Sequence, residues 1–205
     1  IGSTRGKMTA GKTSAQTTMQ PKLKYTLRVA VYLILVAVIN VGAFQGTRHV
    51  ASWIGPSSDR SLIVFFLGGI CYLLGTLALT WGFCRLDRRS LVDLGLQRRG
   101  WAARLLPGWG LGTLLVLLVF LVFWVGGWTT AERASPPLPA LTASVLTWII
   151  ISFVEELTFR GYIMQGLAKA WGMPIAVIVS SVLFAAVHSL NPDADLLGIF
   201  NIFFA

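Results

Sequence analysis

Long apolar runs separated by short polar segments organise this chain. Residues 27–44, 62–84 and 105–125 each approach the roughly 20 apolar residues that cross a bilayer as a helix, and a fourth run begins near Leu141. Strand-like alternation is scarce, so the pattern predicts an all-α, polytopic transmembrane helical bundle. The fourth helix is expected from Leu141 to Trp171, where Gly172 and Pro174 break the periodicity, with a fifth returning from Met173 to about Ser189. Another apolar run starts near Leu196 and reaches Ala205. The reading is therefore of about five spans and the start of a sixth, in a chain truncated at its C-terminus. Three regions follow: a disordered polar tail over 1–26, helices and loops over 27–140, and a region over 141–205 where the polar exceptions gather. Gln45 to Ser61 reads as a loop, which puts His49 in solvent. Asn191-Pro192-Asp193 reads as a turn, with Asp195 as a cap.

Composition removes the soluble alternatives. The chain is 55% hydrophobic and only 12% charged, which suits a membrane protein rather than a soluble domain. A net charge of +9 invites a nucleic-acid partner, but the basic residues flank the apolar runs, where they act as topology signals. The expected surroundings are a lipid bilayer, with no nucleic acid. Basic residues concentrate before the first run and in the loop from Arg85 to Arg104, which places the N-terminus and that loop in the cytoplasm. The helix that starts near Leu141 then runs inward. Cys71 and Cys84 are separated by about 20 Å along one helix, beyond disulfide reach, and are read as lipid-facing or packing residues. Gly68, Gly69 and Gly75, and also Gly108, Gly110 and Gly112, are read as places where helices approach closely.

The chemistry centres on Val154-Glu155-Glu156-Leu157-Thr158-Phe159-Arg160-Gly161. A carboxylate among apolar residues of a membrane helix is costly unless it is paired or functional. Glu156 and Arg160 are four apart with the acid first, the favoured order for an ion pair, and the pair is expected to be buried. Glu155 points about 100° away and is left as the acid available for base chemistry. On the returning helix Phe184 and His188 share a face. Glu156 precedes Gly172 by 16 residues and His188 follows it by 16, so a hairpin turning there brings acid and imidazole to one depth. The same cluster also suits a proton or ion relay in a transporter.

Taken together, Glu155-Glu156-x-x-x-Arg160 followed by Phe184-x-x-x-His188 resembles the first two motifs of the CAAX prenyl protease and bacteriocin-processing family, the CPBP or Abi-type intramembrane endopeptidases. The resemblance covers about Leu141 to Ala205. It implies a membrane-embedded protease, in a bacterial plasma membrane, in which Glu155 and His188 activate water and Glu156, Arg160 and Phe184 support them. It implies a peptide or membrane-protein substrate, of CAAX or bacteriocin-processing type, or alternatively a catalytically silent immunity or scaffold protein. The family carries a later helix with a His and an Asn; here no His follows His188, and Asn201 is the residue that could face the site. A divalent metal such as zinc, on Glu155, Glu156 and His188, stays open as a cofactor.

Overall fold

The structure, a computed structural model, describes residues 10–53, 60–97, 99–132, 137–191 and 194–204. Seven α-helices are present among them: α1 (Ala10–Ser52), α2 (Arg60–Leu86), α3 (Trp101–Val125), α4 (Leu138–Glu156), α5 (Met164–Trp171), α6 (Met173–His188) and α7 (Leu196–Phe204). No strand occurs among the described residues, and the chain is an all-α polytopic membrane protein. Four helices are long and apolar enough to cross a bilayer, over Lys22–Ser52, Val64–Leu86, Trp101–Val125 and Leu138–Trp171. The expected fifth span, α6, is apolar but has only 16 residues, short of the roughly 20 that a perpendicular span needs.

Two boundaries differ from the sequence reading. The tail read as disordered is helical from Ala10, and the loop read from Gln45 is helical to Ser52. Extending an existing helix costs far less than starting one, so the apolar stretch of α1 carries its polar flanks with it. His49 accordingly lies on the last helical turn, its ring 5.1 Å from that of Trp53. Residues 1–9, residues 54–59, and Pro192 and Asp193 of the expected turn lie outside the described residues. Asp195 does cap α7: its Oδ1 accepts the Gly198 N–H at 2.6 Å.

The glycines of α2 set how closely it meets α1. A Cβ on Gly75 would stand 2.7 Å from Ile39 Cγ2, and one on Gly68 would stand 2.7 Å from Phe44 Cδ1. Ile39 is β-branched and stiff, so it cannot swing aside cheaply. Gly75→Val is therefore expected to lower stability by about 1–3 kcal/mol, read as unfolding in detergent. Gly82→Val, where a Cβ meets nothing within 4 Å, is the control; equal melting of the two variants would contradict this packing. The glycines of α3 behave otherwise. A Cβ on Gly108, Gly110 or Gly112 meets nothing within 4 Å, and α3 has no buried residue. Their expected role in helix packing is not met within this chain, because α3 stands clear of the other helices with its apolar side chains facing outward.

While α7 packs on α6 with no buried residue, helices α1, α2, α4, α5 and α6 gather around a core. Tyr32 of α1, Phe83 of α2 and Tyr162 meet there, with Tyr32 and Tyr162 ring centroids 4.2 Å apart and Phe83 edge-on to both. Polar groups inside an apolar bundle need partners; the Tyr32 hydroxyl bonds Thr80 Oγ1 at 2.7 Å, and Thr80 donates to the Thr76 carbonyl at 2.7 Å. Tyr162 in turn donates to Asp87 Oδ2 at 2.9 Å and Asp87 pairs with Arg28. Trp171 Nε1 donates to Thr26 at 3.0 Å, and Arg89 donates to Gln165 at 2.7 Å. The Thr26–Arg28 stretch of α1 and the ends of α2 and α5 thus lie together.

The sequence did not announce one feature of the long fourth helix. Between α4 and α5, Leu157–Ile163 winds as a wide π-type turn, a geometry frequent at functional sites. It follows Glu156 directly. A short 3₁₀ turn, Leu91–Leu94, braces it, with Leu94 Cβ standing 3.9 Å from where a Gly161 Cβ would be. The brace is itself fixed by its cap: the Ser90 N–H donates to Asp93 Oδ2 at 2.7 Å. Hydrogen bonding to Ser90 holds the Asp93 carboxyl below its usual range.

Candidate active site

Gly172, at φ +86°, makes the turn that reverses the chain between α5 and α6. A side chain is strained at that backbone angle, so glycine suits the position. The reversal returns His188 to the level of Glu155, and His188 Nε2 lies 3.7 Å from Glu155 Oε1. Both are largely enclosed, their side chains 20% and 29% exposed.

Hydrogen bonding sets the imidazole's tautomer. His188 Nδ1 is 2.9 Å from the Phe184 carbonyl. A carbonyl only accepts, so Nδ1 carries the hydrogen and, in the neutral ring, Nε2 presents its lone pair to Glu155. At 3.7 Å the two groups are too far apart for a direct hydrogen bond. The spacing suits one water held by both.

Phe184 joins the two motifs. Its ring stands edge-on to Phe159, centroids 5.1 Å apart, and lies 4.4 Å from the His188 ring. The Arg160 guanidinium carbon is 5.1 Å from the Phe184 centroid, an attractive placement of a cation over an aromatic face. Arg160 Nη1 donates to Glu156 Oε1 at 2.7 Å. The expected pair therefore forms, but it is not buried: Glu156 is 59% exposed and Arg160 34%. Adjacent helical residues point about 100° apart, so turning Glu155 inward turns Glu156 out. A pair left open on one side is not stranded as a fully enclosed one is when a partner is removed. Glu156→Gln is accordingly expected to cost less than the roughly 3–5 kcal/mol of breaking a buried pair, checked by denaturant unfolding in detergent. A loss of several kcal/mol would restore the buried-pair reading.

Glu155 and His188 open onto a cavity of about 610 Å³. Its other polar lining comes from Asn40, Tyr72, Ser152 and Asn191. Sequence reasoning passed over these residues. The available signal was Asn40, an amide inside the first apolar run. Asn201, by contrast, is exposed on α7 and does not line the cavity. Of the two cysteines, Cys71 is exposed and Cys84 buried.

The donor set does not suit zinc. Catalytic zinc takes three protein ligands, and among the described residues no group of three His, Cys, Asp or Glu is placed to hold a metal. Glu156, the third ligand envisaged, is engaged by Arg160 instead.

Residues 136–205 match the model of the Rce1-like family, described as type II CAAX prenyl endopeptidase Rce1-like. Searches of curated proteins and of solved structures gave no match to the chain. The matched region holds Glu155, Glu156, Arg160, Phe184 and His188, whereas Asn40 and Tyr72 lie outside it.

Proposed function

From the premise that residues 136–205 belong to the Rce1-like CAAX endopeptidases, we propose that this membrane protein hydrolyses a peptide bond with a water activated by Glu155 and His188. The observation that carries the proposal is the 3.7 Å separation of Glu155 Oε1 and His188 Nε2 at the wall of one cavity. The Glu155 carboxylate takes a proton from the water as its oxygen attacks the substrate carbonyl. His188 Nε2 accepts the water's other hydrogen and so aims the oxygen lone pair. The tetrahedral intermediate collapses as the C–N bond breaks, and the Glu155 carboxylic acid returns its proton to the departing amine. The water oxygen joins the substrate's carbonyl carbon in the new carboxyl group and keeps its other hydrogen, and no other reactant is consumed.

Arg160 and Glu156 are positioning residues in this scheme. Their pair lies against Phe184, whose carbonyl fixes the His188 tautomer. The substrate class is a peptide ending in a prenylated CAAX sequence, and the end of the bundle holding Arg28, Asp87 and Trp171 faces the cytoplasm. The test is incubation of the purified protein in liposomes with such a peptide, read by mass spectrometry. Release of the terminal residues supports the proposal. Ion flux across the liposomes with the peptide intact would replace it with a relay.

A further inference from the structure

The cavity has a second wall, built by α1 and α2, that brings polar groups to Glu155 from outside the matched region. Asn40 is half-buried and Tyr72 is 7% exposed, and both line the cavity. Their neighbours along the wall, including Leu33, Val36 and Phe44, are apolar. An amide on a membrane helix without water needs a polar partner. The Asn side chain offers two N–H donors and a carbonyl with two lone pairs.

A peptide group is the complement of those donors and that acceptor, with one N–H and one C=O side by side. We propose that Asn40, on the cavity wall it shares with Glu155 and His188, binds a backbone amide of the substrate next to the scissile bond and lays the peptide against them. This inference rests on the endopeptidase reading. It also gives a substrate property: Asn40 reads main chain, so it tolerates different side chains at the position it holds.

The probe is a dye-labelled peptide ending in a prenylated CAAX sequence. Asn40→Leu keeps the side chain's size and suits a membrane helix, so folding is not the weak point. Losing a neutral hydrogen-bonded contact of about 1.4 kcal/mol corresponds to tenfold in affinity. Asn40→Leu is therefore expected to raise KM about tenfold with kcat changed by less than about threefold. The same substitution in a Glu155→Gln background, where no cleavage competes, is expected to weaken equilibrium peptide binding by about tenfold. Replacing the contacted peptide N–H by an ester oxygen should weaken binding to the unmodified protein and leave Asn40→Leu nearly unaffected. If the unmodified protein binds and cleaves the peptide while Asn40→Leu leaves KM and binding unchanged, or lowers kcat alone, this inference is overturned and the endopeptidase reading stands. If the unmodified protein neither binds nor cleaves the peptide, both fall.

Discussion

Glu155→Gln is expected to reduce peptide turnover by roughly 10²–10⁴-fold while leaving the protein folded. The amide keeps the shape of the side chain but cannot take a proton from water. Glu155 makes no direct hydrogen bond to His188, whose Nε2 stands 3.7 Å away. The isosteric amide consequently breaks no direct contact. The check is initial-rate cleavage beside melting in the same detergent: turnover should collapse with the melting temperature nearly unchanged. Full activity in this variant would remove Glu155 from the mechanism.

The largest stability effect is expected far from the chemistry, at Asp87. Its side chain is 1% exposed, it pairs with the Arg28 side chain, and it accepts the Tyr162 hydroxyl at 2.9 Å. It thereby ties together α1, the end of α2 and the π-type turn that follows Glu156. Removing one partner of a buried pair typically costs about 3–5 kcal/mol, because the other charge is left alone. Asp87→Asn is expected to lower the unfolding free energy by about 3 kcal/mol. The exposed Glu156–Arg160 pair should show no comparable loss. Adding Arg28→Gln to Asp87→Asn should recover part of the stability, since the orphaned cation is then gone. Unfolding of the single and double variants in detergent decides it; an Asp87→Asn protein that melts normally would mean that Arg28 finds water instead.

Much of this architecture was legible because apolar runs, basic flanks and a Gly-Pro break are local signals. The hairpin at Gly172, and the meeting of Glu155 with His188 across it, followed from counting helical rise. The exposure of Glu156 and Arg160 was not legible, since spacing says that two residues share a face but not whether that face is covered. The π-type turn over Leu157–Ile163 also left no mark, because a change from i→i+4 to i→i+5 bonding depends on what packs around it, here Leu94 and the Tyr162–Asp87 bond. Asn40 and Tyr72 were missed for a third reason. They lie 115 and 83 residues before Glu155, and only the folded contacts of α1 with α2 and of α2 with α4 bring them there. Asn201 shows the converse error, since position in an apolar run does not fix the direction in which a side chain points.

The most direct measurement of the central claim compares three proteins on one prenylated CAAX-type peptide in liposomes: the unmodified chain, Glu155→Gln and Glu156→Gln. Mass spectrometry reads the cleaved products and melting reads the fold. The account predicts cleavage by the unmodified protein, none detectable from a normally folded Glu155→Gln, and substantial cleavage by Glu156→Gln. Cleavage by Glu155→Gln, or its loss in Glu156→Gln alone with the fold intact, would contradict it.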